Sequence, residues 1–482
     1  MTAILGREAD GRRSLVALAA IALAVLLARG QTFGNPVLGF DEQFFLLAAD
    51  RMLDGALPYV DIWDRKPIGL FLIFALAILP GGDPFLNYKL IAAAAVAGTS
   101  FAIYCGARRE AGPVGALAAA LLYPFWLNFM EGEGGAAAVF YNLPVVLAAL
   151  TVRRVTRRRA APEAAGLIAM LLAGIAIQIK YTAVFEGLFL GVVLMIEGRR
   201  AWGISGRLLR WTLAWAAAAL VPTMLPWAWY AAIGQNKAFV FANFLSQFGR
   251  LSDAWMIRLG GLALIVLVVL PLAAVAVLAS RRQRIGFDQQ WALAATLSVL
   301  GFGAYLSPGY AMPMIPPLLL CAAPWFARSR RGLVTAAGLL VLAAIGGGLL
   351  VRTVMHGKGM RPEAMRIADA ARPRQGGCIW VWDGYPALYL LTRSCVPTRW
   401  PFPGHLNTQN EASARAIGVD PQAEVRRILA TRPEAIIDDY PPYHLGNRAT
   451  RALVQAELAR SYRLVARVET GQGRFRLVYR AN

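Results

Sequence analysis

The sequence predicts a polytopic α-helical membrane protein with about eleven transmembrane helices and a small C-terminal α/β domain. Three observations carry this prediction. Hydrophobic residues make up 57% of the chain, and charged residues make up only 16%. Apolar runs of about 17 to 25 residues, the length that crosses a bilayer as a helix, recur through the first three quarters of the chain. The last part has no such run, and short apolar strands alternate there with helices.

Each apolar run is expected to be helical, because backbone groups in lipid have to form hydrogen bonds within their own segment. The first run follows basic residues, as in a signal peptide, but no small-residue cleavage site comes after it, so we expect an uncleaved first helix. We place the helices near residues 14–29, 87–107, 111–129, 135–152, 163–180, 183–197, 209–229, 258–279, 290–307, 311–327 and 332–351.

The net charge of +21 is explained by orientation in a membrane rather than by nucleic-acid binding. With the N-terminus in the cytoplasm, Arg clusters such as Arg108–Arg109 and the run 153–159 fall on the cytoplasmic side, and the outer loops carry few bases. An odd number of helices places the tail outside the cytoplasm. We therefore predict a membrane domain over residues 1–355 and a soluble periplasmic domain over residues 356–482.

The tail has the pattern of a small α/β domain. Segments 378–382, 434–440, 462–469 and 475–480 are predicted strands. One predicted helix precedes the first strand and two lie between later strands, the last with Asn447 as its N-cap. Cys378 and Cys395 both lie in the tail, in a compartment that permits disulfides. The sequence leaves open whether they are bonded. Cys105 and Cys321 fall in membrane helices and are expected to be packing residues.

The first outer loop, residues 30–86, is the longest, and its stretch 39–72 carries six acidic and three basic residues. Its segment 40–53, FDEQFFLLAADRML, has apolar residues at helical spacing with polar ones opposite, as in a helix that lies in the membrane interface. Segment 67–79 begins with Pro67 and is too short to span a membrane, so it is predicted to be interfacial or re-entrant.

The acid pair Asp41 and Glu42 opens the first of these helices. Asp41 has two interpretations. It caps the helix while Glu42 favours the helix dipole, or it is a general base that accepts a proton from an attacking hydroxyl or amine.

Two lysines on the outer side are candidate phosphate ligands. Lys66 forms a surface ion pair with Asp64, or it holds a phosphate as a point charge. Lys180 ends an otherwise apolar helix and either snorkels to the interface or faces the same anion. Tyr310 is an aromatic-belt anchor or a further phosphate contact.

The remaining candidates are weaker. Glu131 and Glu133 lie at a helix junction with no base nearby in the sequence, which makes them site candidates or solvated acids. Asp61 and Asp64 serve either the fold of the loop or the site. The three histidines, His356, His405 and His444, lack metal-ligand spacing, and there is no P-loop, which argues against a nucleotide-driven pump.

These motifs together resemble the GT-C superfamily of polyprenyl-phosphate-sugar-dependent glycosyltransferases, over roughly residues 14–351. The resemblance rests on the acid pair in Phe40–Glu42, on the motif YVDIWDRKP over Tyr59–Pro67, on the helix count and on the outer tail. The nearest likeness is to the bacterial branch that contains the lipid A aminoarabinose transferases and the protein O-mannosyltransferases.

The resemblance implies roles for the candidates. Asp41 corresponds to the catalytic base, with Glu42 beside it, and Lys66 corresponds to the lysine that contacts the carrier phosphate. Lys180, Tyr310, Glu131 and Glu133 are then further contacts to the donor or substrate, as are Tyr59, Asp61 and Asp64.

The implied reaction is inverting transfer of a monosaccharide from an undecaprenyl-phosphate-type carrier to an acceptor on the periplasmic face of a bacterial inner membrane. Two departures matter. Gly309 stands where many relatives have a His, and the zinc ligands of the aminoarabinose enzymes are not evident, so we predict no required metal or other cofactor. The acceptor stays open between a glycolipid, a glycan and a protein.

Two other classes of protein are alternatives to a glycosyltransferase. A flippase or transporter of a lipid-linked sugar would show internal repeats and mid-membrane charges, neither of which the sequence contains. A catalytically dead scaffold would have no need for both Asp41 and Lys66.

Overall fold

A computed structural model describes residues 2–281, 285–303 and 307–482, with side chains from residue 11 onward except that of Phe302. Among these residues, eight helices are long and apolar enough to cross a membrane. They are Gly11–Thr32, Pro84–Met130, Ala137–Thr156, Tyr181–Trp202, Gly206–Ala232, Trp255–Ser280, Pro308–Arg328 and Arg330–Ala371.

The predicted polytopic helical fold is confirmed, whereas the count of eleven spans stays a prediction. The observed segment Pro84–Met130 contains two predicted spans. They are separated at Gly112, whose φ of 61° breaks the helical path before Pro113. Pro162–Ile177 and Phe287–Phe302 match two further predicted spans but contain only 16 residues each. The predicted helix 290–307 extends onto residues 304–306, which lie outside the described residues.

The chain divides into two compact units. The first contains residues 1–33, 89–225 and 255–351, which hold most of the long apolar helices. The second contains residues 34–88, 226–254 and 352–482, so the first outer loop packs in the same unit as the tail. The predicted domain division after residue 355 stays a prediction.

The loop of the second unit contains the two helices that the sequence predicted, Phe40–Leu53 and Ile68–Ile78. The first is not amphipathic in its packing, since every residue from Glu42 to Ala49 is buried. Phe44 and Gln43 contact the tail, through Phe402 at a ring distance of 5.4 Å and through the backbone N–H of Ala387. The polar face expected from Asp50, Arg51 and Asp54 is therefore confined to the end of this helix.

The tail forms the predicted α/β domain around a four-stranded sheet. Its strands are β1 (Ile379–Val381), β2 (Ala435–Tyr440), β3 (Tyr462–Gly471) and β4 (Arg474–Ala481), in the order β1-β2-β4-β3. β1 and β2 are parallel, and the other two pairings are antiparallel. The helices of the tail are Gly348–Lys358, Arg361–Ala371, Ala387–Thr392, Pro403–Asn407, Ala414–Ile417, Pro421–Ala430 and Arg448–Ser461.

Two local predictions for the tail can be compared with the structure. Asn447 caps the helix Arg448–Ser461, since its Oδ1 accepts hydrogen bonds from the N–H groups of Ala449 and Thr450. Cys378 and Cys395 form a disulfide, which the sequence had left open.

Candidate active site

Asp41 lies at the start of the helix Phe40–Leu53, in the second unit. Gly39 is the N-cap residue, so the interpretation of Asp41 as the cap is wrong. As the second residue of the helix, Asp41 keeps its carboxylate near the positive end of the helix dipole, and its side chain is 58% exposed. This position leaves the carboxylate accessible to a substrate.

Glu42 is buried and folds back over the N-cap. A Cβ at position 39 would overlap the Glu42 carboxylate, so any larger residue there would displace the end of the Glu42 side chain. Among the described residues, Glu42 Oε2 has no hydrogen-bond partner. Glu42 therefore occupies a different environment from the exposed acid that precedes it.

Lys66 lies between two carboxylates. Its Nζ is 3.8 Å from Asp41 Oδ2 and 4.0 Å from Asp64 Oδ1, and it stands 5.2 Å from the centre of the Phe45 ring. The interpretation of Lys66 as the partner of Asp64 alone is thus incomplete, because the first acid of the helix shares the same cation.

The turn that carries Lys66 is fixed by its own side chains. Asp64 Oδ1 accepts hydrogen bonds from the backbone N–H groups of Arg65 and Lys66. The hydroxyl of Tyr59, a buried residue with a φ of 71°, donates to the backbone carbonyl of Lys66 at 2.9 Å. Asp64 and Tyr59 therefore act through the position of Lys66. Asp61 lies apart from this turn and accepts the N–H of Leu57 at 2.8 Å.

His405 lies behind Asp64, a placement that sequence reasoning missed. It comes from the helix Pro403–Asn407, and its Nε2 is 3.8 Å from Asp64 Oδ2. Its ring packs against those of Trp63, Phe402 and Phe44. Burial lowers the pKa of His405 well below its usual range, and the cations of Arg65, Lys66 and Arg250 lower it further against the opposing Glu411. His405 is therefore neutral near pH 7 despite its closeness to Asp64.

A buried ionic cluster holds Arg65, the residue between Asp64 and Lys66. Both carboxylate oxygens of Glu411 accept hydrogen bonds from the Arg65 guanidinium, at 2.6 and 2.8 Å, and Arg250 Nε lies 2.9 Å from Oε1. Burial alone would raise the pKa of Glu411, but the hydrogen bonds and charge of Arg65, with the charge of Arg250, lower it below its usual value. The tail thus anchors the segment that ends in Lys66.

The other predicted site residues lie in the first unit. Lys180 Nζ stands 4.5 Å from the centre of the Tyr310 ring, so the structure brings these two candidates together. Glu131 adopts a left-handed conformation after the turn Leu127–Met130, and its Oε2 accepts the Ser307 hydroxyl at 2.6 Å.

A base lies beside the predicted acids of the first unit. Arg29 donates to the backbone carbonyls of Gly132 and Gly134, which flank the buried Glu133. No base lies near these acids along the sequence, but the fold brings Arg29 to this turn from about 100 positions away.

Comparison with known proteins gives matches among solved structures. No protein-family model matches the chain, and no curated protein matches it. The apo crystal structure of ArnT from Cupriavidus metallidurans is 16% identical over 98% of this chain and 98% of that one, with a TM-score of 0.64. The structure of the same protein bound to undecaprenyl phosphate is 15% identical over 96% and 97%, with a TM-score of 0.62.

This chain has the GT-C fold. The resemblance predicted from the sequence is confirmed at the level of the fold, which is what likeness at these identities shows. A structure of the Archaeoglobus fulgidus oligosaccharyltransferase in complex with Zn and sulfate is more distant, at 12% identity over 88% of this chain and 68% of that one, with a TM-score of 0.50.

A divalent metal does not fit the candidate site around Lys66. The described residues contain no group of three or more His, Cys, Asp or Glu side chains that could hold one. Asp41 and Asp64 are bridged instead by the Lys66 ammonium. The absence of a required metal stays a prediction, and no chemical step below passes through one.

Proposed function

We propose that the protein is an inverting membrane glycosyltransferase that takes a monosaccharide from an undecaprenyl-phosphate-type carrier. The observation that carries the proposal is the Lys66 ammonium between the exposed Asp41 and the buried Asp64. Its context is the GT-C fold, which the chain shares with an ArnT structure bound to undecaprenyl phosphate.

In the proposed reaction, an acceptor hydroxyl or amine attacks the anomeric carbon while the bond from that carbon to the phosphate oxygen breaks. Asp41 accepts the proton of the nucleophile, and Lys66 offsets the negative charge that grows on the leaving carrier phosphate. A single displacement of this kind inverts the anomeric centre and requires no carboxylate nucleophile. Its products are the glycosylated acceptor and undecaprenyl phosphate.

The difference between the two carboxylates beside Lys66 favours this role. Asp64 is held by two backbone N–H groups, so it stays in place when the carrier phosphate approaches. Asp41 is the exposed partner and is free to turn from Lys66 to the nucleophile. In the absence of donor, the base and the phosphate ligand therefore neutralise each other.

The resemblance also assigns roles to four residues of the first unit. Lys180 and Tyr310, which contact each other, are proposed ligands of a phosphate, and Glu131 and Glu133 are proposed ligands of substrate hydroxyls. We assign the protein to a bacterial inner membrane, with a cytoplasmic N-terminus and a periplasmic tail. Its partners are then the lipid-linked donor and an acceptor glycolipid, glycan or protein.

The direct test supplies the purified chain in lipid nanodiscs with undecaprenyl-phosphate sugars and candidate acceptors. The expected result is equal molar release of undecaprenyl phosphate and glycosylated acceptor, with inverted anomeric configuration by NMR. Movement of intact donor between leaflets without release of carrier phosphate would contradict the proposal and favour the flippase.

A further inference from the structure

A cleft of about 510 Å³ opens in the second unit, between the first loop and the tail segments of that unit. Asp61 and Ile62 form one side, residues 395–400 form the other, and Arg51, Glu424 and Arg427 complete the lining. Its volume is in the range of small-ligand sites. The disulfide at Cys395 fixes one end of the tail segment that forms its wall.

The three arginines of this cleft differ in how their charges are neutralised. Arg427 makes two hydrogen bonds to the buried Glu424 carboxylate, at 2.6 and 2.8 Å. Arg51 lies 3.3 Å from Asp50 and 3.5 Å from Asp54.

Arg399 has no comparable partner. Its guanidinium lies 4.1 Å from the centre of the Trp400 ring, and in the described part of the chain no carboxylate lies within ion-pair distance of it. The cleft therefore presents one planar cation whose hydrogen-bond donors are available, and a guanidinium of this kind pairs with phosphate or carboxylate.

Asp61 supplies an acceptor on the facing side. Its Oδ2 accepts the Leu57 N–H, and the hydrogen bonds of the described residues leave its other oxygen available. Ile62, Val396 and Pro397 add apolar surface between these polar groups. A guanidinium that donates hydrogen bonds to an anion, a carboxylate that accepts one from a hydroxyl, and apolar walls are together the recognition elements of a charged sugar.

We infer that this cleft binds a saccharide that carries a phosphate or a carboxylate, with Arg399 on the anion and Asp61 on a hydroxyl. Under the proposed function, on which this part rests, the carrier phosphate of the donor lies at Lys66, which does not line the cleft, so the ligand of the cleft is a part of the acceptor away from its nucleophile. The backbone N–H of Trp63 donates to the backbone carbonyl of Arg399 at 2.7 Å, so the segment that carries Lys66 also supports the wall of the cleft.

The test measures binding of three probes to the full chain in nanodiscs by titration calorimetry, without donor. The probes are glucose 1-phosphate, glucuronate and glucose. The first two are expected to bind and glucose to bind much more weakly; the stronger of the two identifies the anion. Arg399→Gln should weaken anion binding by about ten- to a hundredfold, as loss of a charge-assisted hydrogen bond does. Arg399→Lys should restore part of it.

The matched control is Arg463→Gln, which removes an exposed arginine from β3, outside the cleft lining. Equal weakening in this variant, equal binding of glucose, or an unchanged affinity in Arg399→Gln would each overturn the inference.

The cleft and the glycosyltransferase activity can be refuted independently of each other. Anion binding that depends on Arg399 supports the cleft even if no sugar is transferred. Conversely, transfer to an anionic acceptor with the same KM in Arg399→Gln as in the parent would refute the cleft and leave the glycosyltransferase intact.

Discussion

The ammonium groups of Lys66 and Lys180 contact different kinds of side chain. Lys66 lies about equally far from two carboxylates, one exposed and one buried, and its turn is anchored by an ionic cluster with the tail. Lys180 stands over the face of the Tyr310 ring, in the other unit. A ring face attracts a cation more weakly than a carboxylate does.

This difference suggests a division of labour between the two lysines. Lys66 shares its charge with Asp41, which can act as a base, so its surroundings can change during a reaction. Lys180 stands over a ring face, and we assign it to binding of an anionic carrier in the ground state and the transition state alike. Lys66 is therefore expected to affect turnover, and Lys180 is expected to affect donor affinity.

The largest effect is expected for Asp41→Asn, which removes the proposed base. Turnover should fall by about 10²- to 10⁴-fold, the usual contribution of general base catalysis. The control is Asp54→Asn, which changes an exposed acid at the other end of the same helix and should leave turnover within about twofold. Radiolabelled sugar transfer measures both, and equal losses would refute the special role of Asp41.

The next effect separates the two lysines. Lys66→Gln should lower kcat by about 10²-fold or more, because the leaving phosphate loses a preorganised cation. Lys180→Gln should mainly raise the KM for the donor and leave kcat closer to the parent value. Steady-state kinetics over a range of donor concentrations tests this contrast, and the opposite pattern would exchange the roles assigned to the two residues.

The next prediction concerns folding stability, through the ionic cluster that anchors the turn of Lys66. Glu411→Gln leaves Arg65 and Arg250 facing a neutral amide in a buried site, which should cost about 3 to 5 kcal/mol of folding free energy. Asp369→Asn is the matched control, because it breaks an exposed pair with Arg372 and should cost less than about 1 kcal/mol. Thermal unfolding in detergent compares them; equal shifts would mean that the cluster contributes no more than a surface pair.

The smallest effect is a pH dependence from His405. Its pKa is lowered in the folded state, so the unfolded chain binds an extra proton below about pH 6.5, and stability falls there by up to about 1.4 kcal/mol per pH unit. His405→Phe should flatten the melting temperature between pH 6.5 and 5, whereas a substitution at the exposed His444 should not. A parent melting temperature that is constant over this interval would contradict the neutral, buried state of His405.

Local patterns in the sequence were sufficient for much of the fold. The apolar runs, the two loop helices, the four strands of the tail and the Asn447 cap all follow from periodicity and capping chemistry within a few residues of chain. The predicted gap at 108–110 between two helices lies just before the observed break at Gly112, which falls within the second predicted helix.

The contacts between distant segments were not predictable in the same way. Nothing in the local pattern around His405 or Glu411 indicates that they meet Asp64 and Arg65, which are more than 300 positions away. Burial of residues 42–49 of the helix Phe40–Leu53 has the same cause, because tail residues contact Gln43 and Phe44. Asp41, Lys66, Lys180 and Tyr310 could be named because their charges or positions are unusual for outer membrane segments.

The most direct test of the Lys66–Asp41 pair is the equilibrium affinity for undecaprenyl phosphate, without sugar or acceptor, in the parent, Asp41→Asn and Lys66→Gln. Asp41→Asn removes one carboxylate that competes with the phosphate for Lys66, so it should bind as tightly as the parent or more tightly although its turnover is lost. Lys66→Gln should bind more weakly. Weaker binding in Asp41→Asn together with unchanged binding in Lys66→Gln would contradict the assignment of base and phosphate ligand.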